Sequence, residues 1–304
     1  MLDPFQCESS EGQRASYQEI LERLTNGLAF CRSIELKNRA EKGRFSHYEN
    51  RIKRLIRIAR QGKDLPAKEK QHILGQLQEY LVALSECFEF GDIISQLQHL
   101  PHEVLAPKLK TILKGPLLPS DENANSNAAR NILFELNIAA RLKHAGIEPQ
   151  LGEHPDVRCE IAGKTLFIEC KRPFTETRLG ENIEHAANQL LTDLASVPDV
   201  IGIIAVSLSK ALNPAYQPVH ARNKAEAQAW VIENLEAAAA SVGHIGVKFC
   251  NSRVVGILFH MIAVFENVET NRYDVGQQLL ADSFLLPADE AYAELVDALI
   301  RTGY

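Results

Sequence analysis

Three residues of this 304-residue chain have types and spacing suited to chemistry: Asp156, Glu169 and Lys171. Asp156 follows Pro155, twelve residues separate it from Glu169, and Lys171 stands two places further on. Side chains alternate along an extended strand, so Glu169 and Lys171 share a face with Thr165 and Phe167, while Leu166, Ile168 and Cys170 take the other. Two carboxylates held side by side repel each other unless a cation or a proton intervenes. A hard divalent ion with oxygen ligands, Mg²⁺ foremost, suits that gap.

The elements that must bring these residues together can be read from the flanking pattern. Val157–Ile161 forms one strand of a hairpin, Ala162-Gly163-Lys164 supplies the turn, and Thr165–Lys171 is the return strand. Pro173 cannot donate to a ladder and ends it. Upstream, a helix over Asn123–Ala145 closes at Gly146, a suitable C′ residue. On its wheel Glu135 falls among Ile132, Ile138, Ala139 and Leu142, an acid in the middle of an apolar stripe. An unpaired buried carboxylate costs several kcal/mol in order of magnitude, so a partner, a proton or a metal site must compensate it; the plain alternative is a glutamate at the core's edge paired with an arginine. Ile147–Leu151 reads as a first strand. Leu179–Ala195 reads as a helix with His185 and Gln189 on its polar side, and Val200–Leu208 as a strand covered on both faces.

Pro155-Asp156, Glu169-Cys170-Lys171 and the upstream Glu135 resemble the signature of the PD-(D/E)xK nuclease superfamily, over roughly Asn125–Phe265. The order helix, three strands, helix, strand matches the αβββαβ core of that superfamily. The resemblance implies a metal-dependent nuclease that uses Mg²⁺, with Mn²⁺ as a substitute, on nucleic acid and first of all DNA, in restriction, phage defence or repair. It implies Asp156, Glu169 and the Cys170 carbonyl as metal ligands. Lys171 would hold the attacking water or offset transition-state charge. Glu135 would orient water or join a second ion, and Arg172 would touch the scissile strand. Gln189 matches a glutamine that some members carry on the following helix, although Asp193 stands where those members often have tyrosine. The competing readings are a module that keeps this fold and binds nucleic acid or protein without cutting, and a helical adaptor whose second half is scaffold.

The expected fold class is α/β, an all-helical N-terminal domain over 1–115 followed by a mixed-sheet nuclease core over 116–304. Tyr17, Ile20, Leu21, Leu24 and Leu28 recur at helical spacing. A second helix covers His47–Gln61, with Lys53, Arg54, Arg57 and Arg60 opposite its apolar arc. A third starts near Asp64 and Pro66 and runs through Leu84, and a shorter one lies between Pro101 and Leu113. Lys37–Lys63 carries ten basic residues against Glu41 and Glu49; this is either a phosphate-contacting surface or a solvated helix face. Gly115–Asn127, rich in Pro, Ser, Asn and acid, reads as a linker or domain boundary. Further on, Ala221–Val242 is helical, Gly246–Cys250 and Val254–Phe265 are strands, and Glu290–Arg301 is an amphipathic helix.

Composition narrows the class. With 24% charged and 45% hydrophobic residues the chain is that of a soluble globular protein. No apolar run approaches the roughly 18 residues of a membrane span, and MLDPFQCESSEG lacks a secretory pattern. The six cysteines are scattered singly, which argues against a zinc cluster and a disulfide framework and for a cytoplasmic protein. The net charge of −6 is uneven: 18 Lys+Arg face 15 Asp+Glu in residues 1–115, and 15 face 24 in the rest. Phosphate contacts would therefore come from local patches. Cutting both strands of a duplex would favour a symmetric homodimer, and a regulatory protein partner would fit the helical domain.

Overall fold

The computed structural model describes residues 17–61, 67–123, 126–250, 252–268, 272–284 and 288–301. The protein is mixed α/β. The chain divides into two compact units, one of Met1–Leu133, Ala215–Ala229 and Ile262–Gly276, the other of Phe134–Pro214, Trp230–Met261 and Gln277–Tyr304. No helix of the described residues is long and apolar enough to cross a membrane. The described cysteines are free thiols.

The first unit is largely helical. Its opening helices are α1 (Tyr17–Ser33), α2 (Lys37–Lys42) and α3 (Arg44–Gln61), followed by α4 (Ala67–Leu74), α5 (Leu77–Leu97) and α6 (His102–Ile112). The stripe expected from Tyr17 onward is buried along α1 at Tyr17, Ile20, Leu24 and Leu28. The third expected helix is two helices. It breaks at Gly75 and Gln76, since glycine weakens a helix interior by about 1 kcal/mol relative to alanine. The cap expected at Asp64 and Pro66 lies outside the described residues. α5 is buried on nearly every side, including Glu86, Glu89 and Asp92, as befits the central helix against which α1 and α3 pack.

Buried charge organises this unit. Arg130 Nε donates to Glu86 Oε1 at 2.6 Å, and its Nη1 lies 3.3 Å from Glu122 Oε1. Arg44 Nη1 reaches Glu86 Oε2 at 2.9 Å. Arg130 Nη2 also donates to the Pro116 and Leu117 carbonyls at 3.1 and 3.0 Å, and the Tyr48 hydroxyl donates to Leu117 O at 2.6 Å. The segment expected as a linker is thus tied down through Pro116, Leu117 and Glu122, because Arg130 needs more acceptors than Glu86 offers.

A seven-stranded mixed sheet has the order β1-β2-β3-β4-β6-β5, with β7 paired to β6. The strands are β1 (Gln150–Leu151), β2 (Val157–Ile161), β3 (Lys164–Lys171), β4 (Val200–Ser207), β5 (Val219–Ala221), β6 (Val254–Asn267) and β7 (Arg272–Ser283). β1–β2 and β2–β3 are antiparallel, whereas β3–β4, β4–β6 and β5–β6 are parallel. The remaining helices are α7 (Ala128–His144), α8 (Leu179–Leu194), α9 (Ser209–Leu212), α10 (Lys224–Phe249) and α11 (Glu290–Arg301). β5 and β7 were not anticipated from the sequence. Every residue of β4 is buried, as its unbroken apolar run requires, and α8 packs on β3 and β4. α7 ends in a Schellman closure: Ile147 N–H donates to Leu142 O, Gly146 N–H donates to Lys143 O, and Gly146 has φ +81°.

The segment Gly246–Cys250 is not a strand. Its residues through Phe249 continue α10, because Val231, Leu235, Ala238, Val242, Ile245 and Phe249 form one buried stripe at steps of three and four. Five residues carry no period long enough to separate strand from helix.

Arg130→Met should remove a guanidinium shared by two buried carboxylates. Urea unfolding should then show a loss of about 3 kcal/mol or more, and an unchanged midpoint would mean that the ion pairs are energetically idle.

Candidate active site

The hairpin forms as its residues demand. Ile161 pairs with Lys164, leaving Ala162 and Gly163 as a two-residue turn with φ of 49° and 72°. Positive φ at both central positions belongs to the turn whose twist matches the flanking strands. The register then runs Val157↔Ile168, so Asp156, one residue before β2, comes alongside Glu169. On the other edge of β3, Glu169 pairs with Ile204 and Lys171 with Val206 of β4.

The acids and the lysine do meet. Lys171 Nζ lies 2.7 Å from Glu169 Oε1, which fixes both side chains on one face of β3. Glu169 is 2% exposed and its Oε2 is buried without a hydrogen-bond partner. Asp156 Oδ2 accepts from the Cys170 backbone N–H at 2.7 Å. The Asp156 carboxyl is pushed up to about 7, first by burial and then by the charges of Glu135 and Glu169; the Cys170 amide and the Lys171 ammonium oppose the shift. Glu135 is 8% exposed. Three carboxylates from three positions in the chain therefore act on one another, and one ammonium partly offsets them.

Cys170 is held on the same ground. Burial, followed by the charges of Asp156, Glu135 and Glu169, raises its thiol well above the ordinary range. A thiolate nucleophile is disfavoured here, so Cys170 is left with its backbone as its contribution.

The other expected site residues are spread more widely. Gln189 is half-buried on α8 with Oε1 unpartnered, and Asp193 one turn later has an unpartnered Oδ2. Arg172, the residue after β3, is buried, although the strand's last two residues, Cys170 and Lys171, are only half-buried. Lys53, Arg54, Arg57 and Arg60 belong to α3 in the helical unit. Lys53 is exposed, with its ammonium 2.7 Å from Glu49, which neutralises part of that face; Arg54 is half-buried and Arg57 exposed. The Arg60 side chain lies outside those described. His260 is a core histidine, fully buried and stacked on Phe134 with ring centroids 5.5 Å apart.

Lys210 is a buried cation that the sequence pattern does not single out. It sits in α9, just past the end of β4, is 6% exposed, and holds its ammonium 3.7 Å from the centre of the Phe174 ring. Phe174 follows the end of β3, so both stand at the carboxyl edge of the same parallel pair. The signal available was position: ligands of parallel sheets bind at the carboxyl ends of strands.

Among the described residues no group of three or more His, Cys, Asp or Glu converges with ligand geometry. Glu169 is turned onto Lys171 and Asp156 onto the Cys170 amide, which draws the two carboxylates toward different partners. The donor set nevertheless fits a hard divalent ion. It consists of carboxylates and a strand carbonyl, with one buried carboxylate oxygen unsatisfied and one carboxyl lifted first by burial and then by its acidic neighbours, conditions that a 2+ charge relieves. Comparisons with protein-family models, with curated proteins and with solved structures return no match for this chain.

The folded Asp156 keeps its proton to about pH 7, against 3.8 as the ordinary value. The folded state therefore binds more protons than the unfolded chain between those values, and stability falls as pH rises through that window. In chelator, the melting temperature of the native chain should drop from pH 5 to pH 7.5 more steeply than that of Asp156→Asn. Equal slopes would show that the carboxyl is not perturbed.

Proposed function

We propose that this protein is a metal-dependent nuclease that hydrolyses phosphodiester bonds of nucleic acid, with DNA as the first substrate to test. The observation that carries the reading is the crowding of Asp156 by Glu135 and Glu169 beside the Lys171 ammonium, where burial and those charges raise the Asp156 carboxyl to about 7. An arrangement that costs stability at neutral pH calls for a function that uses it. The element order α7-β1-β2-β3-α8-β4 supports the likeness to the PD-(D/E)xK core and adds to the motif residues.

Asp156, Glu169 and the Cys170 carbonyl would hold Mg²⁺ or Mn²⁺. Bound there, the ion supplies Lewis acidity to a phosphoryl oxygen and acidifies a water. The chain's own residues do the rest. Lys171, oriented by Glu169, directs N–H donors at the charge that builds on the non-bridging oxygens. Glu135 accepts a hydrogen bond from water and turns its lone pair toward phosphorus. Lys210 and Arg172, at the carboxyl edge of β3 and β4, add positive charge that draws the phosphate backbone toward that edge. The basic residues of α3 offer further phosphate contacts.

Purified protein with Mg²⁺ or Mn²⁺ should cut DNA, chelator should stop it, and Lys171→Ala should lower the rate by about 10²-fold or more with the fold intact by circular dichroism. Cleavage by Lys171→Ala at the native rate sinks the assignment. Ion-independent binding without cleavage would instead make the chain a non-cutting nucleic-acid module.

A further inference from the structure

The helical unit contains a cavity that the nuclease reading does not use. It has a volume of about 420 Å³ and lies where α2 ends, α3 begins and α6 ends. Arg39 and Lys42 come from the last turn of α2, Arg44 and His47 from the first turn of α3, and Lys114 from just beyond α6. Among the described residues no carboxylate lines it. The first turn of the 18-residue α3 contains no acidic residue, so the positive end of that helix is left uncompensated.

The buried acids nearest in this network are already committed. Glu86 meets both Arg44 and Arg130, and Glu122 meets Arg130. Two guanidinium groups and two carboxylates cancel, and the cations Arg39, Lys42 and Lys114 remain in excess on the cavity wall. Arg44 is 3% exposed, yet its Nε and Nη2 make no hydrogen bond. Its guanidinium packs so closely on Gly115, another wall residue, that a Cβ there would stand 3.1 Å from Nη1 and 2.6 Å from Ala129 Cβ. The Arg44 guanidinium nitrogens are shut off from solvent, so the exposed Arg39, Lys42 and Lys114 are the charged groups that a ligand in the cavity meets. Leu113, Pro116 and Leu117 add an apolar side to the wall. The volume falls within the roughly 300–1,000 Å³ of small-molecule sites, which leaves room for more than a bare tetrahedral anion.

We propose that this cavity binds a phosphate monoester carried on a nucleoside-sized group. The phosphate lies against Arg39, Lys42, Lys114 and the amino end of α3, and the organic portion lies on the Leu113–Leu117 wall. The same chemistry is presented by a free nucleotide and by the phosphorylated end of a strand. The bland competitor is that Lys42, Arg39 and Lys114 only offset the negative carboxyl ends of α2 and α6.

Calorimetric titration of the full chain in chelator with a nucleoside monophosphate, the parent nucleoside, and a short single strand with and without a 5′-phosphate tests this. The monophosphate should bind, the nucleoside should not, and added salt should weaken the binding. The exposed double variant Lys42→Ala/Lys114→Ala should fold and lose about tenfold or more in affinity, while Lys171→Ala should retain it. A strand that needs its 5′-phosphate and outbinds the free nucleotide identifies the strand end as the source; the reverse order identifies the nucleotide. Three results would overturn the proposal: equal binding of nucleoside and monophosphate, unchanged affinity in the double variant, or loss of binding in Lys171→Ala instead.

Discussion

Like charge in a confined space is the constraint on which the second unit turns. The half-buried Asp156 sits within electrostatic reach of the buried Glu135 and Glu169, and its burial first, then their charges, make its carboxyl hold its proton to about pH 7. Each compensating contact is local and partial. The Cys170 amide meets one oxygen of Asp156 and the Lys171 ammonium meets one oxygen of Glu169, while the other Glu169 oxygen has no hydrogen-bond partner. Such a cluster is less stable than an apolar core of the same volume. A cation bound beside it would remove the repulsion that the fold has imposed.

The sheet makes this crowding possible. The tight turn at Ala162 and Gly163 sets the hairpin register, and the register brings Asp156 beside Glu169. A slip by one residue would send Glu169 and Lys171 to the opposite face. Parallel pairing with β4 buries β3 on its far edge and brings the chain past Ser207 to Lys210, which no local pattern ties to Lys171. Glu169 and Lys171 are therefore carried on a rigid strand, and their neighbours on short segments leaving the same edge.

The helical unit handles charge differently. Arg44, Arg130, Glu86 and Glu122 are buried as a closed set, and the segment from Gly115 to Glu122 is drawn into it. A stretch rich in proline and acid looks like a spacer when its composition alone is weighed. Here the spare donors of one arginine convert it into packed structure. The surplus of positive charge is left at the meeting point of three helix ends, away from the paired set.

The sequence by itself determined whatever depends on near neighbours. The alternation that puts Glu169 with Lys171, the glycine turn, the helix closure at Gly146, the apolar run of β4 and the misplaced acid at Glu135 are all periodicities within a dozen residues, and each was legible. The five-residue run at Gly246–Cys250 was too short to show its period, and the break at Gly75 was masked by continuous amphipathic spacing. Only the tertiary structure decided which partner each buried charge takes. That choice joins Glu86 to Arg130 and Lys210 to Phe174 over separations that no local pattern spans, and it is governed by desolvation and Coulomb energy, which exist only once the chain has closed around them.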